Sequence, residues 1–138
     1  MTATREVLDS LTIESSVDLG KLAAAVEALL NAERTTTACA GAMVGESDST
    51  YSTSLVNAIR ADLDTVDVVH AARTVLTRFV GDNVAVVRSE LNAAIAACER
   101  SNAECTRHAE HHAHCRLCAN ATSDCITACR DLIGALGD

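Results

Sequence analysis

No proline interrupts this chain of 138 residues, and that absence limits its possible folds more than any other feature. Proline ends helices and punctuates loops, so a proline-free chain rich in Ala and Leu favours long helices over a loop-rich or disordered state. The length suits one domain with a real core. Although 49% of the residues are hydrophobic, only one is Phe, one is Tyr and none is Trp. A core without rings is filled by small side chains, so its helices must approach closely.

Charge narrows the partners. The balance of 11 Lys+Arg against 19 Asp+Glu gives a net charge of −8. With so few rings as well, this speaks against nucleic acid, which wants cations and stacking surfaces. Lys21 is the single lysine, so a polybasic membrane patch is not expected. Residues 1–69 carry 11 acids and 4 bases, which read as a solvated face. The first ten residues lack the apolar stretch of a signal peptide, and no apolar run reaches the ~18 residues of a membrane span. Seven cysteines make an odd count that fits a disulfide framework poorly. The expectation is a cytoplasmic protein in a reducing compartment, its thiols free or bound to metal.

Turn-forming stretches divide the chain. Breaks fall at Gly45–Thr50, at Gly81–Asn83 and around His111–Ala113, with a weaker one near Ser15–Asp18, where Ser-x-x-Asp resembles a helix start. The spacing predicts a short helix over about 3–12, then long helices over about 17–45, 51–80, 83–111 and 113–136. No stretch reads as a strand. The expected fold is all-α: an antiparallel up-down four-helix bundle over about 17–136 with a short extra N-terminal helix, the chain 1–138 forming one domain.

Helical periodicity shows what the core contains. In the last helix Cys115, Cys118, Thr122, Cys125, Cys129, Leu132 and Leu136 are spaced alternately 3 and 4 residues apart, a seam facing the bundle. Arg116, Asn120, Ser123, Asp124, Thr127 and Arg130 take the opposite face. The helix before it carries Val84, Val87, Leu91, Ala94, Cys98, Ser101, Cys105, His108 and His112 in the same rhythm. The first long helix offers Leu22, Val26, Leu29, Thr36, Cys39 or Ala40, and Met43. The second is apolar over a broader arc, and its register stays ambiguous. The seam is thus apolar toward one end of the bundle and becomes thiol, hydroxyl and imidazole toward the other.

If the last two helices lie antiparallel across a tight turn, residues at one height share an index sum. A sum of 223 gives the rungs His108/Cys115, Cys105/Cys118, Ser101/Thr122, Cys98/Cys125 and Ala94/Cys129. Soft thiolates select Cu(I), zinc and iron–sulfur clusters. Cu(I) accepts two or three sulfurs, so cross-helix pairs and pairs one turn apart can serve it. Structural zinc wants four ligands in a tetrahedron. Cys115, Cys118, Cys125 and Cys129 spread over ~21 Å of one helix and cannot share one ion. The best cluster for zinc is His108, His112, Cys115 and Cys118. A carboxylate di-iron site is disfavoured because Glu-x-x-His does not occur.

The C-terminal run resembles a known family. Cys98-Glu-Arg-Ser-Asn-Ala-Glu-Cys105-Thr-Arg-His108-Ala-Glu-His-His112-Ala-His114-Cys115-Arg-Leu-Cys118, continuing to Cys125-Ile-Thr-Ala-Cys129, is similar to the cysteine-rich four-helix-bundle copper storage proteins. Leu63 to Val69 and Arg73 to Arg78 look like that family's second bundle helix, and Ala38-Cys39-Ala40 to Glu46 like the end of its first. The resemblance covers about residues 20–136. It implies a cytosolic bundle whose core cysteines bind many Cu(I) ions, with His or Met near an open end through which metal passes, often assembled as a homo-oligomer, a dimer or commonly a tetramer. The family's Cys-x3-Cys pairs read here as Cys39/Met43, Thr65/Val69, Ser101/Cys105, Cys118/Thr122 and Cys125/Cys129, of which only the last is intact. Met43 keeps a soft thioether. A cysteine-depleted member is therefore expected, with reduced capacity.

The candidate metal ligands are Cys98, Cys105, His108, His112, Cys115, Cys118, Cys125, Cys129, Cys39 and Met43, for Cu(I) or alternatively zinc. Free cysteine also packs as a small hydrophobe, which suffices for Cys39 taken alone. His111 and His114 are read as turn residues facing water, His70 as an ordinary helix residue, and Asp64 and Asp67 as surface or interhelical hydrogen-bonding groups. Three classes remain: a copper-storing, buffering or sequestering protein; a non-catalytic structural or partner-binding bundle, or a zinc-binding bundle that has lost copper storage; and a thiol redox protein based on Cys115-x2-Cys118, ranked last because no strand precedes it. No Ser–His–Asp set, phosphate loop or dinucleotide fingerprint points to an ordinary enzyme.

Overall fold

The computed structural model describes residues 2–45 and 53–137. Among them are five helices: α1 (Ala3–Asp9), α2 (Leu19–Gly45), α3 (Thr53–Thr77), α4 (Val84–His108) and α5 (Ala113–Ala135). The four long ones have 27, 25, 25 and 23 residues, so each is roughly 35–40 Å long at 1.5 Å per residue. Each packs on the next, α5 closes against α2, and α1 leans on α2. This is the expected all-α bundle with its short N-terminal helix. The sequence break at Gly45–Thr50 lies outside the described residues apart from Gly45, as do residues 51 and 52 of the expected second helix.

Helix ends differ from expectation for local reasons. Helix α1 stops at Asp9 rather than at 12, because the Ser10 hydroxyl donates to the Val7 carbonyl at 2.6 Å and its amide bonds Glu6 and Val7. Helix α2 starts at Leu19 rather than at 17. Its capping oxygen is that of Asp18, which accepts from the Lys21 amide at 3.0 Å, and not that of Ser15. Helix α3 ends at Thr77 rather than at 80: Arg78 and Phe79 bond the Val75 and Leu76 carbonyls in a tightened last turn. That turn drops the Phe79 ring into the core. Helix α4 ends at His108 rather than at 111, because the His111 and His112 amides both turn back to the His108 carbonyl. Helix α5 ends one residue early, where Leu136 turns extended.

Gly81, between α3 and α4, has φ +113°, a conformation glycine adopts without strain. A Cβ there would strike the Glu14 side chain. The Glu14 amide in turn donates to the Val80 carbonyl at 2.9 Å, tying the α1–α2 link to the α3–α4 turn.

The core is made of small residues, as the composition demands. Ala25, Ala32, Ala58, Ala61, Ala72, Ala94 and Ala121 are buried, and so is the ring of Phe79. Leu22, Leu29, Leu76, Val87, Leu91 and Leu132 pack around the end nearest Phe79. On α3 the buried strip is Asp62, Thr65, Val69, Ala72 and Leu76, which settles the register left open by the sequence. No described helix is long and apolar enough to cross a membrane.

Candidate metal centre

None of the seven cysteines is in a disulfide, and all are buried. They sit on the seams of α2, α4 and α5 because the 3–4 spacing turns them inward. The positions that replace the resembling family's cysteines (Met43, Thr65, Val69, Ser101 and Thr122) are fully buried too.

Toward the C-terminal end of α2 the donors converge. Cys105 Sγ lies 3.3 Å from Cys118 Sγ, which is one of the expected rungs. Both sulfurs lie 3.5 Å from Asp62 Oδ1, which also accepts a 2.6 Å hydrogen bond from the Ser101 hydroxyl. Cys39, Asp62, Cys105 and Cys118 each present a donor atom within 4.8 Å of the others. The second carboxylate oxygen, Asp62 Oδ2, is buried and finds no hydrogen-bond partner among the described residues. A buried oxygen left bare is costly unless something polar meets it, so the donor set fits a cation. A second group shares Cys39: its sulfur lies 3.8 Å from Cys115 Sγ and 3.3 Å from His114 Nδ1, which is itself 3.4 Å from Cys115 Sγ.

Electrostatics follows from this crowding. Cys105 is held far below the usual thiol range, to about 3, because Cys118 and Cys39 hydrogen-bond to its sulfur. By the same contacts, with burial added, Cys39 and Cys118 are pushed up. Burial, then the Cys105 charge, raises the Asp62 carboxyl to about 7. The crowded thiols and the buried carboxyl thus share protons that a cation would displace on binding.

Two expectations change here. The quartet His108, His112, Cys115 and Cys118 is not gathered: Cys118 joins Asp62 and Cys105, while Cys115 joins His114. His114 does not simply face water. It follows the start of α5 at Ala113, is half-buried, and stacks on His112 with ring centroids 5.3 Å apart. His108 and His112 are half-buried at the α4–α5 turn, and Met43 packs with Cys39, Cys105, Cys115 and Cys118. His111 is exposed. His70 pairs with Glu33 at 2.9 Å on the surface, and Asp64 pairs with Arg100 at 2.6 Å. Asp62 was not among the expected ligands, although its place in the strip 62, 65, 69, 72, 76 marks it as inward-facing.

Deeper in the bundle, Cys125 Sγ lies 4.0 Å from Cys129 Sγ, and Cys98 adjoins Cys125. Cys129 is raised by its bond to Cys125 and by burial. The Cys129 contact pulls Cys125 down, but Cys98 and burial outweigh it and leave Cys125 raised.

A four-helix bundle whose interior clusters thiols with a carboxylate, and with an imidazole at its edge, presents donor sets of the kind that hold metal ions. The comparisons make the class specific: residues 19–134 match the copper storage protein family, and the chain belongs to that family. The copper storage protein Ccsp from Streptomyces lividans, in a structure loaded with 10 copper equivalents, is 35% identical, with TM-score 0.89 over 97% of this chain and 100% of that one. A single-histidine-to-alanine variant of the Streptomyces protein is 37% identical, with TM-score 0.81 over 89% of this chain and 100% of that one. A third structure, of a cytosolic copper storage protein from Streptomyces lividans with five coppers, is 38% identical, with TM-score 0.78 over 86% and 96% of the two chains. No curated protein matches.

Proposed function

We propose that this chain, as one bundle domain, stores or buffers cytosolic copper as Cu(I), with reduced capacity and no catalytic step. The observation that carries the reading is the convergence of Cys39, Asp62, Cys105 and Cys118, whose donor atoms lie within 4.8 Å of one another, on a carboxylate whose second oxygen, Oδ2, is buried with no hydrogen-bond partner among the described residues. Membership of the copper storage family supports it, as does likeness to a protein described as cytosolic. Three sulfurs suit a soft monovalent ion, and a single thiolate among them offsets its charge in a dry core. His114 and Cys115 make the outer step, and His108, His112 and Met43 line the end through which copper would pass. Binding displaces thiol protons, so affinity falls with acid. As in the resembling family, the chain would assemble with copies of itself.

Anaerobic titration of the reduced protein with Cu(I) against a chromophoric chelator tests the reading. The expected result is tight uptake of more than one equivalent. Uptake of no more than one weak equivalent would refute storage. Three thiols and a carboxylate within reach of one point also satisfy tetrahedral zinc. Zinc retained against excess Cu(I) would favour that second reading.

A further inference from the structure

The buried thiols form two packed groups, not one column. Cys39, Cys105, Cys115 and Cys118 pack together with Met43 and Ala58 at the outer end. Cys98, Cys125 and Cys129 belong to the main core with Leu29, Ala72, Leu91 and Leu132. Among the described residues, each bundle helix places one buried hydroxyl residue between the groups or beside them: Thr36, Thr65, Ser101 and Thr122. Their hydroxyls are already engaged. Thr36 donates to the Ala32 carbonyl at 2.7 Å, Thr65 to Ala61 at 2.7 Å, and Thr122 to Cys118 at 2.9 Å. Ser101 donates to Asp62.

We propose that this hydroxyl layer divides the interior into two compartments: copper occupies only the outer one, and Cys98, Cys125 and Cys129 stay copper-free in the loaded protein. The inference rests on the storage reading and deepens it. A soft cation moves through a dry bundle from sulfur to sulfur. Hydroxyl oxygens are poor ligands for it, and three of the four here bond their own helices. The groups of three or more donors within 4.8 Å, among the described residues, are the two that share Cys39; Cys98, Cys125 and Cys129 enter neither. The inner cysteines pack against Leu29, Ala72, Leu91 and Leu132, with no cationic side chain or imidazole in that cluster to balance the net negative charge of a copper dithiolate.

The test compares the copper complement of the reduced wild-type protein with that of two double variants. Cys125→Ala/Cys129→Ala should retain the full wild-type complement, and Cys105→Ala/Cys118→Ala should lose most of it. A fall in the first variant overturns the partition but leaves storage standing. No uptake by the wild type overturns both. If the inner variant does not fold, Thr65→Cys/Thr122→Cys gives the answer by gain. Sulfur restored across the layer should add at least one copper per chain, and X-ray absorption should then show fewer oxygen or nitrogen neighbours per copper. An unchanged complement in that variant overturns the proposal.

Discussion

Cys39 is the side chain common to both donor groups, so replacing it by Ala tests the site most sharply. The substitution takes one group from four donors to three and the other from three to two. Four-ligand structural metal sites in small domains are worth about 10–16 kcal/mol, or roughly 3–4 kcal/mol per ligand. Losing one ligand should therefore weaken copper binding by roughly 10²- to 10³-fold. The metal-free fold should hardly notice: removing one sulfur from a fully buried side chain costs on the order of 1 kcal/mol. Cys129→Ala is the matched control, because Cys129 is equally buried and lies outside both groups. The assay pairs chelator competition for Cu(I) with urea unfolding of the reduced, metal-free proteins. The two variants should have similar unfolding midpoints and copper affinities at least tenfold apart. If Cys39→Ala holds copper as tightly as Cys129→Ala, the shared-donor reasoning is wrong.

Three further outcomes are expected. Asp62, raised to about 7 chiefly by burial, keeps in the native state a proton that the unfolded chain has released above its ordinary value of 3.8. Its contribution to metal-free stability therefore falls as pH rises through that window, by at most about 4 kcal/mol. Urea unfolding at pH 5 and pH 8 should show Asp62→Asn gaining on the wild type as pH rises, and an equal gap at both pH values would refute this. Glu33 is lowered: burial opposes its charge, but Arg73 and His70 outweigh it. Its ion pair should add about 0.5 kcal/mol at this partly exposed site. That contribution is present above the ordinary carboxylate range and lost as pH falls through the lowered value. Glu33→Gln should thus be mildly destabilised at pH 7 and match the wild type in acid, measured by thermal unfolding. Gly81→Ala forces a side chain into positive φ and against Glu14. It should cost roughly 1–3 kcal/mol in urea unfolding without changing copper affinity.

The fold was legible because the cysteines and leucines of α4 and α5 repeat at 3 and 4 residues, a rhythm that only an inward helix face explains. The pairing of Cys105 with Cys118 followed from that rhythm and a short turn. Asp62 was not legible in the same way. Beside Asp64 and Asp67 it reads as one more helix acid, and only the packing of α3 turns it inward while leaving Asp64 to pair with Arg100 at the surface. His114 was missed because a residue one step past a turn can face either way until the helix start is fixed. Helix ends depended on which oxygen caps: both Ser15 and Asp18 are good caps, and geometry chose Asp18.

The uneven filling of the bundle has a dynamic consequence. The end that holds Leu22, Leu76, Phe79 and Leu132 anchors the four helices, each such side chain contributing about 1.5–3 kcal/mol of burial. The end that holds the donors is packed with thiols, Met43 and alanine. Local opening should therefore cost less at the donor end than at the leucine end. Backbone amides near Cys39, Cys105 and Cys115 should exchange with deuterium well before those near Leu29 and Leu91. Copper should slow the first set alone, which makes the cargo a clasp on the looser half of the molecule.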